Sequence, residues 1–71
     1  MSRLPYTLRA QKVIELSIAA AWDMNLDYVG TEALLLGLLG ESEGVAAQVL
    51  LNLGVTPTTA RAEILIVCRP L

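Results

Sequence analysis

The sequence predicts an all-α domain of four short helices in an orthogonal or bundle-like arrangement. Apolar residues recur at the three- and four-residue spacing of helices, and no stretch alternates as a strand does. Gly, Pro, Asn and Thr divide the chain between these segments. A nearly unbroken apolar segment lies at the centre, so the other helices must pack around it. We expect residues 1–71 to form one domain.

The central helix is predicted over Thr31–Leu39 and should be buried on most sides. Thr31 is the predicted N-cap, and Glu32 adds a negative charge where the helix dipole favours it. Gly37 costs about 1 kcal/mol relative to Ala within a helix, so we expect it to permit close approach of another helix. Gly40 is predicted to adopt the left-handed conformation just after the helix.

The first helix should run from an N-cap at Thr7 to about Met24, with Asn25 starting the turn that follows. Its predicted inner residues are Ala10, Val13, Ile14, Ser17, Ala21 and Met24.

The third helix is predicted over Gly44–Leu53 with Gly54 as its stop, and the fourth begins with Thr56 as N-cap and Pro57 at the first helical position. The predicted inner residues of these two helices are Val45, Val49, Leu50, Leu53, Ala60, Ile64, Val67 and Cys68.

Composition indicates an assembly. Hydrophobic residues make up 55% of the chain and the mean hydropathy is +0.60, which is more apolar surface than a lone domain of this size hides. The longest apolar run, Ala33–Gly40, is too short to cross a membrane, and the N-terminus lacks a secretion signal. One cysteine, Cys68, fits a reducing compartment, so we expect a cytoplasmic protein. The net charge of −2 with scattered basic residues argues against nucleic-acid binding.

The residue inventory argues against an enzyme. The chain has no histidine, so the commonest general base and metal ligand is missing, and Cys68 has no partner for nucleophilic catalysis. The acidic residues are dispersed, and Gly37–Gly40 lacks the Lys and Ser/Thr of a phosphate-binding loop. We therefore expect no cofactor, no metal and no catalysis.

Four blocks of the sequence resemble a known family. They are Thr7–Leu16, Tyr28–Leu39 with its G-T-E-A-L-L-L-G-L-L run, Glu43–Leu50 with E-G-V-A-A, and Leu53–Val55 followed by Arg61–Glu63. Together they resemble the Clp N-terminal (Clp R) repeat of ClpA/ClpC-type AAA+ unfoldases. Members of that family usually carry two repeats around a pseudo-twofold axis, whereas this chain has one. The resemblance implies a non-enzymatic module that docks adaptors, substrates or other Clp subunits.

The resemblance also implies a ligand site. In the ClpC branch the domain recognises phosphoarginine, and some members bind cyclic peptide antibiotics; Thr7 and Glu32 match positions of that site. A helix start at Thr31 suits a phosphate and the Glu32 carboxylate suits a guanidinium. The alternative is that Thr7, Thr31 and Glu32 only cap helices. The family pattern has His at Ala33 and a polar residue at Leu8, which weakens the transferred site.

Other departures from the family pattern indicate self-association. The pattern is polar or charged at several positions that are apolar here, namely Ile18, Ala19, Ala20, Trp22, Leu51 and Ile66. Ile18 and Trp22 are i,i+4 neighbours on the first helix. We expect Ile18, Ala19, Trp22, Leu51 and Ile66 to form a homodimer surface through which two single repeats reproduce a double-repeat domain. The alternative is that Trp22 packs over its own core.

Three questions stay open at this stage. The chain is either a stand-alone accessory protein or a fragment of a longer unfoldase. A small-ligand receptor for phosphoarginine or a cyclic peptide is the alternative to a protein-docking module. A helix-turn-helix DNA-binding protein is a third class, supported only by the short helices and opposed by the charge balance.

Overall fold

The computed structural model describes residues 6–67, which form four α-helices and no strand. The helices are α1 (Leu8–Asp23), α2 (Thr31–Gly40), α3 (Val45–Asn52) and α4 (Pro57–Val67). The all-α prediction is confirmed, and the starts of all four helices and the ends of α1, α2 and α3 lie within one or two residues of their predicted positions. The predicted inward position of Cys68 lies outside the described residues.

The α2 helix is the centre of the fold, because it approaches each of the other three helices closely and no other pair in residues 6–67 does so. Its closest approach is to α1 at Gly37. A Cβ atom on Gly37 would lie 2.6 Å from the carbonyl oxygen of Val13 and 2.9 Å from the backbone nitrogen of Ser17. The predicted role of Gly37 is therefore confirmed: the absence of a side chain lets the two helices come together.

Most helix ends follow from local signals in the sequence. The Thr7 Oγ1 accepts a hydrogen bond from the Ala10 backbone N–H at 3.1 Å, which is the predicted cap of α1. Asn25 has φ 60° and Gly54 has φ 87°, and each follows its helix in the left-handed conformation. At Gly54 the next N–H, from Val55, bonds the Leu50 carbonyl at 2.9 Å, which completes a Schellman motif.

The predictions for both ends of α2 were wrong. Gly30, not Thr31, is the N-cap: its carbonyl accepts from the Leu34 N–H at 3.1 Å, and Thr31 is the first helical residue. A Cβ atom at Gly30 would meet the Glu32 carboxyl group and lie 3.2 Å from the Tyr28 ring, so the absence of a side chain there leaves room for the Glu32 carboxyl group. Gly40 stays helical and has no left-handed φ, and a Cβ atom at this position would lie 3.3 Å from the Leu16 side chain.

The buried core consists mainly of small side chains. Among residues 6–67 its buried members are Ser17, Ala21, Ala33, Gly37, Leu39, Ala47, Ala60 and Ile64. Ser17 is fully buried, and its hydroxyl donates to the Val13 carbonyl at 2.7 Å. Small residues let the helix backbones approach, but they remove little apolar surface from water.

Several residues predicted to face inward are exposed instead. Val45 is 81% exposed, Leu53 74% and Val67 79%, while Ile14 and Val49 are also largely exposed. The physical reason is that α3 and α4 each contact only α2 closely, so the remaining sides of these short helices have no helix opposite them. The domain therefore buries less of its apolar side-chain surface than the periodicity suggested.

Candidate interaction surfaces

Thr7 lies at one end of a groove between α1 and α3. This groove has an apolar floor and a charged rim, and its lining residues are Thr7, Leu8, Arg9, Ala10, Val13, Leu38, Glu41 and Gly44–Ala47. Arg9 bridges the rim, with Nη1 at 3.4 Å from Glu41 Oε1 and 3.3 Å from Glu43 Oε1. Because the Thr7 hydroxyl already accepts from Ala10, its first role is to cap α1.

Thr31 and Glu32 lie in a second groove, between α2 and α4. Its floor is apolar and its rim carries hydroxyl and carboxyl groups; the lining residues are Thr31, Glu32, Leu35, Val55, Thr59, Ala60, Glu63, Ile64 and Val67. Gly30 gives the start of α2 no side-chain cap. The Glu32 carboxyl group folds back over Gly30, so it occupies space directly in front of the first-turn N–H groups.

The structure does not bring the three residues of the expected ligand site together within one chain. Arg9, two residues after Thr7, pairs with Glu41 immediately after the C-terminus of α2. Thr31 and Glu32 are at the opposite end of this ten-residue helix, which is about 15 Å long. Thr7 therefore belongs to the α1–α3 groove and the other two residues to the α2–α4 groove.

The residues expected to mediate self-association are all at the surface. Ile18 is 44% exposed, Trp22 76%, Leu51 53% and Ile66 57%, and Ala19 is also exposed. Trp22 does not pack over its own core. Ile18, Ala19 and Trp22 share the outer side of α1, whereas Leu51 is on α3 and Ile66 on α4.

Trp22 also lines a pocket that the sequence analysis did not identify. The pocket lies where α1 ends, and its lining residues are Ala21, Trp22, Asn25, Leu26, Asp27, Tyr28 and Val29. Tyr28 is 55% exposed and Val29 45%, so two aromatic rings and a carboxylate share one depression. The sequence held one signal for this pocket. Asp27 and Tyr28 follow Trp22 after a short turn, which brings them back beside the tryptophan.

Surface ion pairs link α1 to other parts of the fold. Besides the Arg9 bridge, the guanidinium of Arg61 on α4 contacts the Asp23 carboxylate at 2.6 Å. Lys12 has a longer 3.9 Å contact with Glu15 in the next turn. These are the three basic residues between positions 6 and 67, and each has an acidic partner. The described part of the chain therefore presents no cluster of unpaired cations.

The described residues contain no single membrane-spanning helix and no metal-binding cluster. No single helix there is both long and apolar enough to cross a membrane; α2 and α3 together reach the length and composition, with a 92° bend between them. Residues 6–67 hold no group of three or more acidic, histidine or cysteine side chains placed to bind a metal ion.

Comparison with known proteins identifies the fold. The family model described as the Clp repeat (R) N-terminal domain matches residues 5–69. The chain is 58% identical over 60 residues to the negative regulator of genetic competence ClpC/MecB of Bacillus subtilis. It is 53% identical over 64 residues to the ATP-dependent Clp protease ATP-binding subunit ClpC of Staphylococcus epidermidis. It is 50% identical over 62 residues to the chloroplastic chaperone protein ClpC1 of Arabidopsis thaliana.

These matches cover most of this chain and a small part of each relative. They span 84%, 90% and 87% of the chain, but only 7%, 8% and 7% of the Bacillus, Staphylococcus and Arabidopsis proteins, respectively. The chain thus corresponds to less than a tenth of the length of the curated relatives that it matches.

Proposed function

The chain belongs to the Clp repeat (R) N-terminal domain family, and on that basis we propose that it is a non-enzymatic module that docks proteins for a Clp unfoldase–protease system. Its partners would be protein substrates, adaptors or other Clp subunits. The relatives are named as ATP-binding Clp subunits and chaperones, and this chain matches a small part of each.

The observation that carries the proposal is the apolar surface left exposed on α1, α3 and α4. Leu8 and Trp22 on α1, Val45 on α3 and Val67 on α4 are each more than three-quarters exposed, at 83%, 76%, 81% and 79%. Scattered exposed apolar residues are normal, but a dense set that borders apolar grooves is typical of protein-binding surfaces. In a chain of 71 residues with so small a core, such surface is costly unless another polypeptide covers it.

The proposal includes self-association. Two copies of this single repeat, spanning residues 1–71, would pair through Ile18, Ala19, Trp22, Leu51 and Ile66 and resemble the double-repeat arrangement of the family. The exposure of all five side chains supports this proposal. We also propose a cytoplasmic location, which fractionation of cells expressing the tagged chain would test.

Docking can be tested with two binding assays on the purified chain. The first uses fluorescence anisotropy with labelled casein, an unfolded apolar protein, and the second uses capture of Clp subunits or adaptors from an extract of the native cell. We expect binding in at least one assay, and we expect Val45→Ser/Val67→Ser to weaken it because both side chains are exposed. Gln48 is exposed on α3, so Gln48→Ser is the matched control for folding on that helix. Absence of binding in both assays would refute the proposal.

The small-ligand alternative has one observation in its favour. The α2–α4 groove contains both the start of α2 and the Glu32 carboxylate. An anionic guanidino compound such as phosphoarginine matches both features. Calorimetric titration of the wild-type chain and of Glu32→Ala with free phosphoarginine tests it. Binding that Glu32→Ala weakens would support a receptor, and no heat from either protein would exclude one.

A further inference from the structure

The outer side of α1 carries a strip of exposed residues that no helix covers in the described part of the chain. Leu8, Glu15, Ala19 and Trp22 are spaced by seven, four and three residues and therefore share this side, with Ile18 at its edge. Leu8 and Trp22 are more than three-quarters exposed. The opposite side of α1 is the one that packs on α2, through Ser17 against Gly37.

The charges along this helix are ordered against its dipole. The basic residues Arg9 and Lys12 lie near its N-terminus, and Asp23 ends it. A helix dipole favours acids in the first turn and bases in the last, and α1 has neither. Asp27, just beyond the helix, lines the Trp22 pocket and forms no ion pair with another residue between positions 6 and 67. The helix therefore carries basic residues near its start and an acidic residue at its end; Glu15 lies 3.9 Å from Lys12, Arg9 pairs with Glu41 and Glu43, and Asp23 pairs with Arg61.

We propose that a second copy of the chain packs its α1 antiparallel against this strip, so that Lys12 of each copy lies over the Trp22 pocket of the other. This inference rests on the self-association included in the proposed function. It narrows the contact to the α1 residues Ile18, Ala19 and Trp22, without Leu51 on α3 and Ile66 on α4, and it adds an orientation. Antiparallel packing places the basic end of each helix over the acidic end of its neighbour, whereas parallel packing would place like charges together. Because the two copies are related by a twofold axis, each contact between them occurs twice.

The side chains suit this arrangement. With the axis beside Ile18 and Ala19, the branched side chain of one copy meets the small one of the other. In this register Lys12 is opposite Asn25, which lines the Trp22 pocket. The pocket then offers an ammonium group two aromatic rings, from Trp22 and Tyr28, and the Asp27 carboxylate. Lys12 would give up only a long ion pair on binding, because its contact with Glu15 spans 3.9 Å.

Helix α1 has 16 residues and is about 24 Å long, so the contact lies at the small end of protein interfaces. We therefore expect a dimer with a dissociation constant in the micromolar range, and one that weakens as salt screens the Lys12–Asp27 attraction.

A charge swap tests the orientation. Sedimentation velocity would compare the wild-type chain with Lys12→Glu, Asp27→Lys and the double variant Lys12→Glu/Asp27→Lys. We expect each single reversal to weaken the dimer about tenfold or more, and the double variant to recover most of this loss, since the pair regains opposite charges. Glu63→Lys is the matched control: it makes the same charge change in the α2–α4 groove, so it should leave the dimer unchanged. Circular dichroism checks that each variant is folded.

The possible outcomes distinguish the antiparallel α1 contact from self-association in general. A wild-type dimer that tolerates Lys12→Glu and Asp27→Lys, or a double variant no better than the singles, overturns the antiparallel α1 contact and leaves self-association standing. A strict monomer at tens of micromolar overturns both. Neither result affects protein docking, which the casein and capture assays test independently.

Discussion

At the scale of single residues, the fold depends most on the contact of Gly37 with Ser17. Ser17 is the largest side chain among those that are fully buried in the described part, and Gly37 lies directly against its backbone and hydroxyl. The Ser17 hydroxyl is satisfied by the Val13 carbonyl, so burial leaves no polar atom without a partner there. Helix α2 can approach α1 this closely only because position 37 has no side chain.

We predict that Gly37→Ala lowers the free energy of unfolding by about 1–3 kcal/mol, although alanine is the better helix former. The added methyl group would lie 2.6 Å from a backbone oxygen of α1, so the two helices must separate. Gly40→Ala is the matched control in the same helix. There the new atom meets only the end of the flexible Leu16 side chain at 3.3 Å, and stability should change little or rise. Urea denaturation measures both; equal effects would contradict the account.

Residue-level predictions from sequence succeeded where the signal is local. Thr7, Asn25, Gly54 and Thr56 act within a few residues of their own position, so their chemistry is readable from the chain. The error at the C-terminal end of α2 involves a residue that also has a tertiary neighbour. Glycine often ends a helix, yet Gly40 is the last residue of α2, and a Cβ atom there would lie 3.3 Å from Leu16 of α1, which is 24 positions away in sequence.

At the scale of helices, the start of α4 is the clearest case of a sequence signal that becomes a structure. The Thr56 Oγ1 accepts from the Thr59 N–H at 3.2 Å, and the Thr59 Oγ1 accepts from the Thr56 N–H at 3.0 Å. This reciprocal pair has the geometry of a capping box, with threonine in place of the usual Glu or Gln. Pro57 then occupies the first helical position, where no N–H is needed.

We predict that Thr56→Ala destabilises the domain by about 1 kcal/mol, because the Thr59 N–H in the first turn of α4 loses the Thr56 Oγ1 that accepts its hydrogen bond. Thr58→Ala is the control: this neighbouring threonine is exposed and takes no part in the reciprocal pair. The difference in thermal midpoint between the two variants isolates the cap. If Thr58→Ala costs as much as Thr56→Ala, then the capping pair contributes nothing measurable.

A second prediction at this scale concerns the turn after α1. Asn25 has φ 60°, which costs a residue with a Cβ atom about 1–2 kcal/mol unless its side chain compensates locally. Asn25→Ala should therefore destabilise the domain by about 1 kcal/mol, whereas Asn25→Gly should leave stability unchanged or raise it. Chemical denaturation of both variants checks the sign, and a loss of stability with glycine would count against a backbone origin.

Periodicity predicted which segments are helical better than it predicted which sides are buried. The third helix carries Val45, Val49, Leu50 and Leu53, so apolar residues lie on most of its circumference and give no single answer. The structure buries Ala47 and partly buries Leu50 against α2, and leaves the larger side chains outside. Which side of a short helix becomes buried depends on where its neighbours lie, and that information is not local.

At the scale of the whole molecule, the chain has many more apolar residues than its buried core contains. Hydrophobic residues are 55% of the chain, but the buried core of the described part is built largely from alanine, with Leu39 and Ile64 as its larger members. The sequence analysis inferred a partner from this excess, and the exposed large side chains are where the excess lies. The location of the surfaces required the structure, because the Trp22 pocket and the two grooves each combine separate segments.

This excess of apolar residues outside the core leads to a prediction about stability. A domain of this size that buries mainly small side chains is expected to be marginally stable alone, and association of folded chains then stabilises it by mass action. A hundredfold rise in concentration adds at most about 2.7 kcal/mol to a dimer that dissociates on unfolding. Since about 1 kcal/mol shifts the midpoint of so small a domain by roughly 4–8 °C, we expect the thermal midpoint to rise by several degrees.

The control for this experiment is Trp22→Ser, which removes a side chain that is 76% exposed and lies outside the core. Its midpoint should not depend on concentration, and it should lie close to that of the dilute wild-type chain, because most of the Trp22 side chain is in contact with solvent in the isolated fold. Circular dichroism melts over the concentration series measure both proteins. A wild-type midpoint independent of concentration would mean that the folded monomer tolerates its apolar surface unaided, and the case for a second copy would then fail on thermodynamic grounds.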